Sequence, residues 1–238
     1  MDKLHLDQHI SRQFNTDLED LKTQLLEMGG IVEQQIEDAV KAIETADGEL
    51  AERVIVIEKE VDQREIQLDE NATQVLARRQ PAASDLRMVI AVIKTIRDLE
   101  RMGDEAQKIA KMAIALNEDG EAPRGYVELR HIGSSVLKMV NATLDAFARF
   151  DVNSALQVAR DDKNVDREYK TAMREMVTYM MEDPRSITRV LNIMWALRSL
   201  ERIGDHARNI AEHIIYLVEG LDVRHISIKE MEKQLNKL

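Results

Sequence analysis

The sequence predicts an all-α protein made of two tandem, internally duplicated up-down three-helix bundles. Its 238 residues include only 9 glycines and 3 prolines, and these are the residues that the tight turns of an extensive sheet require. Chain breakers divide the rest into six long segments. A six-residue motif occurs once in each half of the chain, which indicates that three segments form one repeated unit.

The segments between breakers predict the helices in chain order. Asp47-Gly48 ends the first, Gln80-Pro81 ends the second, and the breaker-rich stretch 117–125 ends the third. The predicted helices cover residues 14–46, 49–78, 84–116, 125–149, 153–181 and 186–218. We expect Ser186 to cap the sixth helix and Gly220 to end it. A short seventh helix is expected after residue 227.

The two halves of the chain are copies of each other. The motif Leu99-Glu100-Arg101-Met102-Gly103-Asp104 recurs 101 residues later as Leu200-Glu201-Arg202-Ile203-Gly204-Asp205. Upstream the spacing becomes 104, as the matching trios Lys59, Val61, Asp62 and Lys163, Val165, Asp166 show. A repeat of about 100 residues is too long for a solenoid. We therefore predict two bundle domains, residues 1–118 and 119–238.

Composition excludes several classes of function. The 33 basic and 44 acidic residues give a net charge of −11, which argues against a nucleic-acid partner. Without cysteine the chain forms no disulfide, thiolate metal site or cysteine nucleophile. Apolar runs such as residues 89–93 fall far short of a membrane span, and no signal peptide leads the chain. We expect a cytoplasmic protein with no membrane span, whose residues 1–13 form a loosely held arm.

Carboxylates interrupt the apolar stripes of the predicted helices. At 100° per residue, Glu100 lies within the stripe of its helix and Asp104 at its edge. Glu201 and Asp205 repeat this geometry in the second half. The stripes of the preceding helices carry Glu58, Asp62, Glu65 and Asp69 in the first half, and Asp162 and Asp166 in the second. Tyr169 and Met173 replace the other two acids there, so the second half has fewer potential ligands.

Carboxylates four residues apart repel each other, and an apolar seam adds a desolvation cost unless a cation compensates. Hard cations prefer oxygen ligands, so the pattern indicates metal sites for Mg, Mn or Fe. The alternative is a lattice of ion pairs with nearby basic residues. Its expected pairs are Lys108 with Asp104, Lys170 with Asp166, Arg97 with Glu100, and Arg198 with Glu201.

Catalytic interpretations find less support. Glu128 and His131 match the Glu-x-x-His spacing of ferritin-like di-iron proteins, but His131 projects away from the apolar side of its helix and should face solvent. His206 points away from Asp205 towards the polar flank, and the histidines of the N-terminal arm, His5 and His9, form a surface pair. The sequence has no phosphate-binding glycine loop, nucleophile elbow or catalytic histidine network. The residues themselves therefore give no positive indication of catalysis.

The duplicated motif leads to a family resemblance. The chain resembles the PhoU family of bacterial phosphate-signalling accessory proteins, and the resemblance covers nearly the whole length. It includes the blocks His9-Ile10-Ser11-x-x-Phe14-Asn15, Arg79-Gln80-Pro81-x-x-Ser84-Asp85-Leu86-Arg87, Tyr179-Met180-Met181-Glu182-Asp183 and Gly220-x-Asp222-x-Arg224-His225.

This resemblance implies two three-helix bundles whose Glu/Asp-x-x-x-Asp motifs bind multinuclear metal clusters. The motifs map onto Glu58 with Asp62, Glu100 with Asp104, Asp162 with Asp166, and Glu201 with Asp205. It also implies a homodimer that is not an enzyme and that represses the phosphate-starvation response when phosphate is plentiful. The implied partners are the ATPase subunit of the phosphate ABC transporter and a membrane-bound sensor histidine kinase.

A second class of function stays open, namely a carboxylate-bridged metal-storage bundle or a metal-dependent oxidoreductase. Composition does not separate it from a non-catalytic adaptor. The missing inward-facing Glu-x-x-His pairs favour the adaptor. Long amphipathic helices with only 8 aromatic residues leave aliphatic surface to cover, which favours self-association.

Overall fold

The computed structural model describes residues 12–118 and 126–237, and within these ranges it is helical and contains no strand. The helices are α1 (Arg12–Thr45), α2 (Gly48–Arg79), α3 (Ala83–Glu118), α4 (Tyr126–Arg149), α5 (Val152–Glu182), α6 (Ile187–Glu219) and α7 (Ile228–Leu235). The all-α prediction is confirmed, and the six long helices begin and end within two residues of their predicted positions. Of the predicted arm, residues 1–11 with His5 and His9 lie outside the described residues.

The second helix of each half begins with the same device. Asp47 caps α2 by accepting a hydrogen bond from the backbone N–H of Leu50 at 2.9 Å, and Asp151 caps α5 in the same way. The residues before these caps, Ala46 and Phe150, both have φ of 54°. This left-handed conformation ends the preceding helix. The device recurs after 104 residues, so the duplication extends to backbone geometry.

The sixth helix is capped differently from the prediction. Ser186 makes no side-chain hydrogen bond to the α6 backbone, because its hydroxyl donates to the carbonyl of Asp183 at 2.7 Å. Asp183 instead caps a single 3-10 turn, Pro184–Ser186, that precedes α6. The other end follows the prediction, since Gly220 closes α6 with φ of 71°. The seventh helix is also confirmed, with Ser227 as its N-cap.

The two bundles share one hydrophobic core. α3 and α6 lie at the centre, where each packs against the other two helices of its own half and against its counterpart. The core is continuous through both halves and consists mainly of Leu, Ile, Val, Met and Ala side chains. The domain boundary between residues 118 and 119 stays a prediction. No helix in the described part of the chain is both long enough and apolar enough to cross a membrane.

This packing determines where the acidic side chains meet. α2 packs against α3 in the first half, and α5 packs against α6 in the second. Residues four apart lie on one face of a helix, so each helix of a pair presents its two motif carboxylates together. The fold therefore produces one candidate cluster in each half.

Candidate functional site

Glu58 is the most buried acid of the first cluster. Only 3% of it is exposed, because it lies in the apolar stripe of α2 between Val54 and Val61. Its Oε2 accepts a hydrogen bond of 2.6 Å from the amide of Gln35 on α1. Its Oε1 is buried and has no hydrogen-bond partner. One oxygen of this carboxyl group is therefore left without a donor.

The first cluster is electrostatically unfavourable. The pKa of Glu58 is raised to about 7, mainly by burial. The hydrogen bond from Gln35 lowers this pKa, whereas the nearby negative charges of Asp104, Asp62 and Glu100 raise it. The pKa of Glu100 is also raised, first by burial and then by neighbouring acids. Glu65 shows the same upward shift, which comes from burial, then from Asp69 and Asp62. These shifts place all six predicted acids of the first half within one electrostatic neighbourhood.

The predicted ion pairs form only in part. Lys108 does not pair with Asp104, since its Nζ lies 2.9 Å from Glu105 Oε1. Arg101, which the alternative did not include, lies 3.3 Å from Glu100 Oε2 and 3.1 Å from Asp104 Oδ2. Glu105 lies three residues before Lys108 and Asp104 four, and both spacings bring side chains together on the helix surface. Asp104 is paired with Arg101 instead. One half-exposed arginine therefore serves two carboxylates.

The second cluster is the more compact of the two. Asp166, Glu201 and Asp205 each offer an oxygen, and these oxygens lie within 4.8 Å of one another, the one such group among the described residues. Arg198 pairs with Glu201 at 2.9 Å as predicted, and Lys170 reaches Asp166 only at 4.0 Å. This half has fewer acids but brings three of them together.

The fourth acid of the second cluster, Asp162, is paired with an arginine. Asp162 is 3% exposed, and burial raises its pKa to about 6 even though Arg208 opposes the shift. The guanidinium of Arg208 donates to Asp162 Oδ2 at 3.2 Å and to Glu212 Oε1 at 3.1 Å. The second half therefore has a positively charged guanidinium beside its cluster, at a position where the first half has the neutral Gln107.

The donor chemistry of both clusters fits a hard cation. Glu58 Oε1 and Glu201 Oε2 are buried carboxylate oxygens without a hydrogen-bond partner, and Glu100 Oε2 also accepts no hydrogen bond, although Arg101 forms an ion pair with it at 3.3 Å. A buried acceptor without a donor is costly, and an ion of the Mg, Mn or Fe class binds such oxygens. The residues that would hold it are Glu58, Asp62, Glu100 and Asp104 with Glu65 and Asp69 beside them, and Asp162, Asp166, Glu201 and Asp205.

His131 has the orientation that the sequence predicts, and His206 does not. His131 is 68% exposed at its side chain and contacts Glu168, so it faces away from the bundle interior as predicted. His206 was predicted to point to the polar flank of its helix. Its Nδ1 instead lies 2.8 Å from Oδ1 of Asp98 on α3. His213 and Asn209 bind the same carboxylate at 3.0 and 3.1 Å.

Sequence reasoning missed this Asp98 network, as well as Gln35 and Arg208. The spacing of His206, Asn209 and His213 places them on one face of α6, which was the available signal. Nothing in the sequence indicated that this face meets Asp98. Gln35 gave no signal beyond its position in an apolar stripe.

Comparison with known proteins decides the family. A family model described as the PhoU domain matches residues 25–113 and again residues 129–214. The chain belongs to the PhoU family. One PhoU domain match falls in each half, in agreement with the internal duplication seen in the sequence and in the helix caps.

Individual relatives cover almost the whole chain. The phosphate-specific transport system accessory protein PhoU homolog of Pseudomonas aeruginosa is 62% identical over 99% of this chain and 97% of its own length. The phosphate-specific transport system accessory protein PhoU of Escherichia coli K12 is 46% identical over the same shares.

Two solved PhoU structures have the same fold. The crystal structure of PhoU from P. aeruginosa has a TM-score of 0.86 and 64% identity, and the match covers 87% of this chain and all of that one. The phosphate transport system regulatory protein PhoU from Streptococcus pneumoniae has a TM-score of 0.82 and 30% identity, with 88% and 99% covered. The arrangement of two PhoU bundles is thus shared at both levels of identity.

Proposed function

We propose that this PhoU-family chain is an accessory protein of a phosphate-specific transport system and regulates phosphate uptake without catalysing a reaction. The observation that carries the proposal is the 62% identity to an accessory protein of such a system over 99% of the chain. Identity at this level over both repeats indicates that the surface and the core are shared. A regulator requires binding surfaces rather than reacting groups, which agrees with the acidic clusters and exposed apolar residues.

More specifically, we propose that the chain has two partners in the cytoplasm. It links the ATPase subunit of the phosphate ABC transporter to a membrane-bound sensor histidine kinase, and it represses the phosphate-starvation response when phosphate is plentiful. Exposed apolar side chains supply contact surface for such partners. Ile187, Leu191 and Trp195 are spaced four apart on α6 and are all exposed, Trp195 by 63%.

The chain is also proposed to act as a homodimer. Exposed aliphatic side chains outside this α6 patch, such as Val56 and Ile66 on α2, would gain from burial in a second copy. Sedimentation velocity at micromolar concentration is expected to give the mass of a dimer of the 27.3 kDa chain. A monomer at every concentration tested would contradict this part of the proposal.

Both acidic clusters are proposed to bind metal ions of the Mg, Mn or Fe class. A bound cation would supply positive charge that offsets the repulsion between the carboxylates and satisfies their orphaned oxygens. Glu58 and Glu100 in the first cluster, and Glu201 with Asp166 and Asp205 in the second, are the principal ligands in this proposal.

A metal-dependent oxidoreductase or metal-storage bundle is the competing proposal. The exposed position of His131 supports the regulator over that alternative, because a di-iron site uses Glu-x-x-His pairs that project into the bundle. Oxygen consumption by the iron-loaded protein would separate the two. Sustained turnover would favour the oxidoreductase.

Deletion of the gene tests the regulatory function directly. We expect alkaline phosphatase to become constitutive in phosphate-rich medium, and the wild-type gene supplied in trans to restore repression. A variant with Glu230 replaced by alanine is a suitable control, since this acid pairs with Lys233 within α7 and belongs to neither cluster, so it should restore repression fully. Unchanged repression in the deletion strain would contradict the proposal.

A further inference from the structure

Gln35 is an isolated polar side chain in the core of the first bundle. It lies on α1 and is 0% exposed. Its Nε2 donates to Glu58 Oε2 at 2.6 Å and contacts the carbonyl of Val54 at 3.3 Å. Its Oε1 is buried and accepts no hydrogen bond. An amide in this position costs stability unless its oxygen has a further partner.

The orphaned oxygens of Gln35 and Glu58 lie together beside the duplicated motif. A Cβ atom on Gly103 would lie 2.8 Å from Glu58 Oε2, 3.1 Å from Gln35 Oε1 and 3.2 Å from Glu58 Oε1. Gly103 stands between Glu100 and Asp104, which belong to the first cluster. The amide oxygen is therefore placed on the same side of α3 as the cluster, over a glycine that leaves room for it.

The second repeat shows that bundle packing does not require an amide at this place. The spacing of 104 residues that relates the helix caps places Met139 at the position equivalent to Gln35. Its Cε lies 3.9 Å from a Cβ built on Gly204, the counterpart of Gly103. A thioether thus occupies in the second half the space that the amide occupies in the first.

We propose that Gln35 Oε1 is a neutral oxygen ligand of the first cluster, contributed by α1 to a hard divalent cation such as Mn²⁺ or Mg²⁺. Amide oxygens are suitable ligands for such ions. The amide N–H of Gln35 holds Glu58 Oε2, which leaves Glu58 Oε1 for the cation. The first cluster would then have a neutral oxygen ligand that the second lacks, because Met139 stands at the equivalent position there and Arg208 supplies positive charge. This inference rests on the metal binding proposed above.

Calorimetric titration of the full chain with Mn²⁺ tests it. The background carries Glu201→Gln and Asp205→Asn, so that only the first cluster binds. In this background Gln35→Met is expected to weaken Mn²⁺ binding about 10- to 100-fold. Gln35→Glu keeps an oxygen at this position and should retain the background affinity or exceed it. Met139→Leu is the matched control in the second half and should leave the affinity unchanged.

The outcomes distinguish this inference from the wider proposal. A background protein that binds no Mn²⁺ contradicts metal binding by the first cluster itself. Mn²⁺ binding that is equal in the background and in Gln35→Met contradicts the role of Gln35 alone. That result would fit a neutral Glu58 whose hydroxyl donates to Gln35 Oε1. Equal losses in Gln35→Met and Gln35→Glu would also overturn the inference, because the oxygen would then be irrelevant.

A second measurement avoids substitutions at Gln35. In the background protein, titration with diamagnetic Mg²⁺ is expected to shift the side-chain carbonyl carbon resonance of Gln35 in step with ion binding. The side-chain carbonyl of Gln107, whose Oε1 accepts a hydrogen bond from Lys111 at an exposed position of α3, provides a reference within the same spectrum and is expected to move less. Mg²⁺ binding that leaves the Gln35 carbonyl signal unmoved would overturn the inference.

Discussion

Asp98 on α3 and His206 on α6 lie 2.8 Å apart, with Oδ1 of the carboxylate facing Nδ1 of the ring. The second carboxylate oxygen lies 3.0 Å from His213 Nε2, and Asn209 also donates to Asp98. Burial alone would raise the pKa of Asp98, but the hydrogen bonds from these α6 side chains outweigh it and lower the pKa. A buried carboxylate of the first bundle is therefore satisfied entirely by the second bundle.

Replacement of Asp98 by alanine should destabilise the protein by about 2 to 4 kcal/mol, because one buried and two half-buried polar partners on α6 lose their acceptor. Urea unfolding followed by circular dichroism measures the change. Ser199, which occupies the equivalent position in the second repeat and is also buried, supplies the control. Ser199→Ala should change stability by less than about 1 kcal/mol. Equal effects of the two substitutions would show that the Asp98 network contributes nothing specific.

The stability of the metal-free protein should fall as the pH rises from about 4.5 to about 7. The pKa of Glu58 is about 7 in the folded state, and its ordinary value is 4.5. Between these values the folded chain holds a proton that the unfolded chain has released, so a rising pH favours unfolding. The contribution is at most about 3 kcal/mol.

Glu58→Gln removes this proton uptake and should flatten the dependence of stability on pH over the same window. Urea midpoints at pH 4.5, 5.5, 6.5 and 7.5 in the presence of a chelator would reveal it. Asp62, Glu100 and Asp104 face Glu58 and stay in place in this variant, so any remaining slope reports on them. A slope identical to that of the wild type would contradict the assignment to Glu58.

Saturating Mn²⁺ should raise the melting temperature of the wild type, and a chelator should reverse the increase. At 100 times the Kd, one bound ion contributes about 2.7 kcal/mol, which corresponds to about 5 to 11 °C for a chain of this size. Glu100→Ala should reduce the increase because a proposed carboxylate ligand is lost. If the carboxylates served only ion pairs, neither Mn²⁺ nor chelator would change the melting temperature of the wild type.

The two motif glycines should respond differently to alanine. A Cβ on Gly103 would lie 2.8 Å from Glu58 Oε2, whereas the nearest atom to a Cβ on Gly204 is 3.7 Å away. Gly103→Ala should therefore cost about 1 to 3 kcal/mol by forcing the Glu58 carboxyl aside. Gly204→Ala should be neutral or stabilising by up to about 1 kcal/mol, since alanine favours the helix. Thermal unfolding of both variants makes the comparison, and a reversed order would contradict the packing.

Much of the candidate site follows from helical periodicity. The placement of Glu100 in the apolar stripe and of Asp104 at its edge needed only the angle of 100° per residue. The solvent-facing position of His131 followed in the same way. The sequence did not predict the partner of a side chain that has two candidates within reach. Lys108 binds Glu105 instead of Asp104, and Ser186 binds Asp183 instead of capping α6. In both cases the deciding contact is a short-range choice that periodicity does not rank.

The sequence by itself determined the six long helices, their duplication and the spacing of the acidic pairs, because each of these depends on positions along the chain. It was wrong about Asp62 and Asp69, which periodicity placed in the apolar stripe of α2 but which are exposed, because packing decides which part of a stripe is covered. Tertiary structure alone decided that Gln35 meets Glu58, that Arg208 pairs with Asp162 and that Asp98 joins α3 to α6. These contacts connect residues 23 to 108 positions apart, and their geometry depends on how neighbouring helices rotate and align against a shared core. Helical periodicity specifies which side of a helix faces the core, but the packing of the other helices determines which side chains that side contacts.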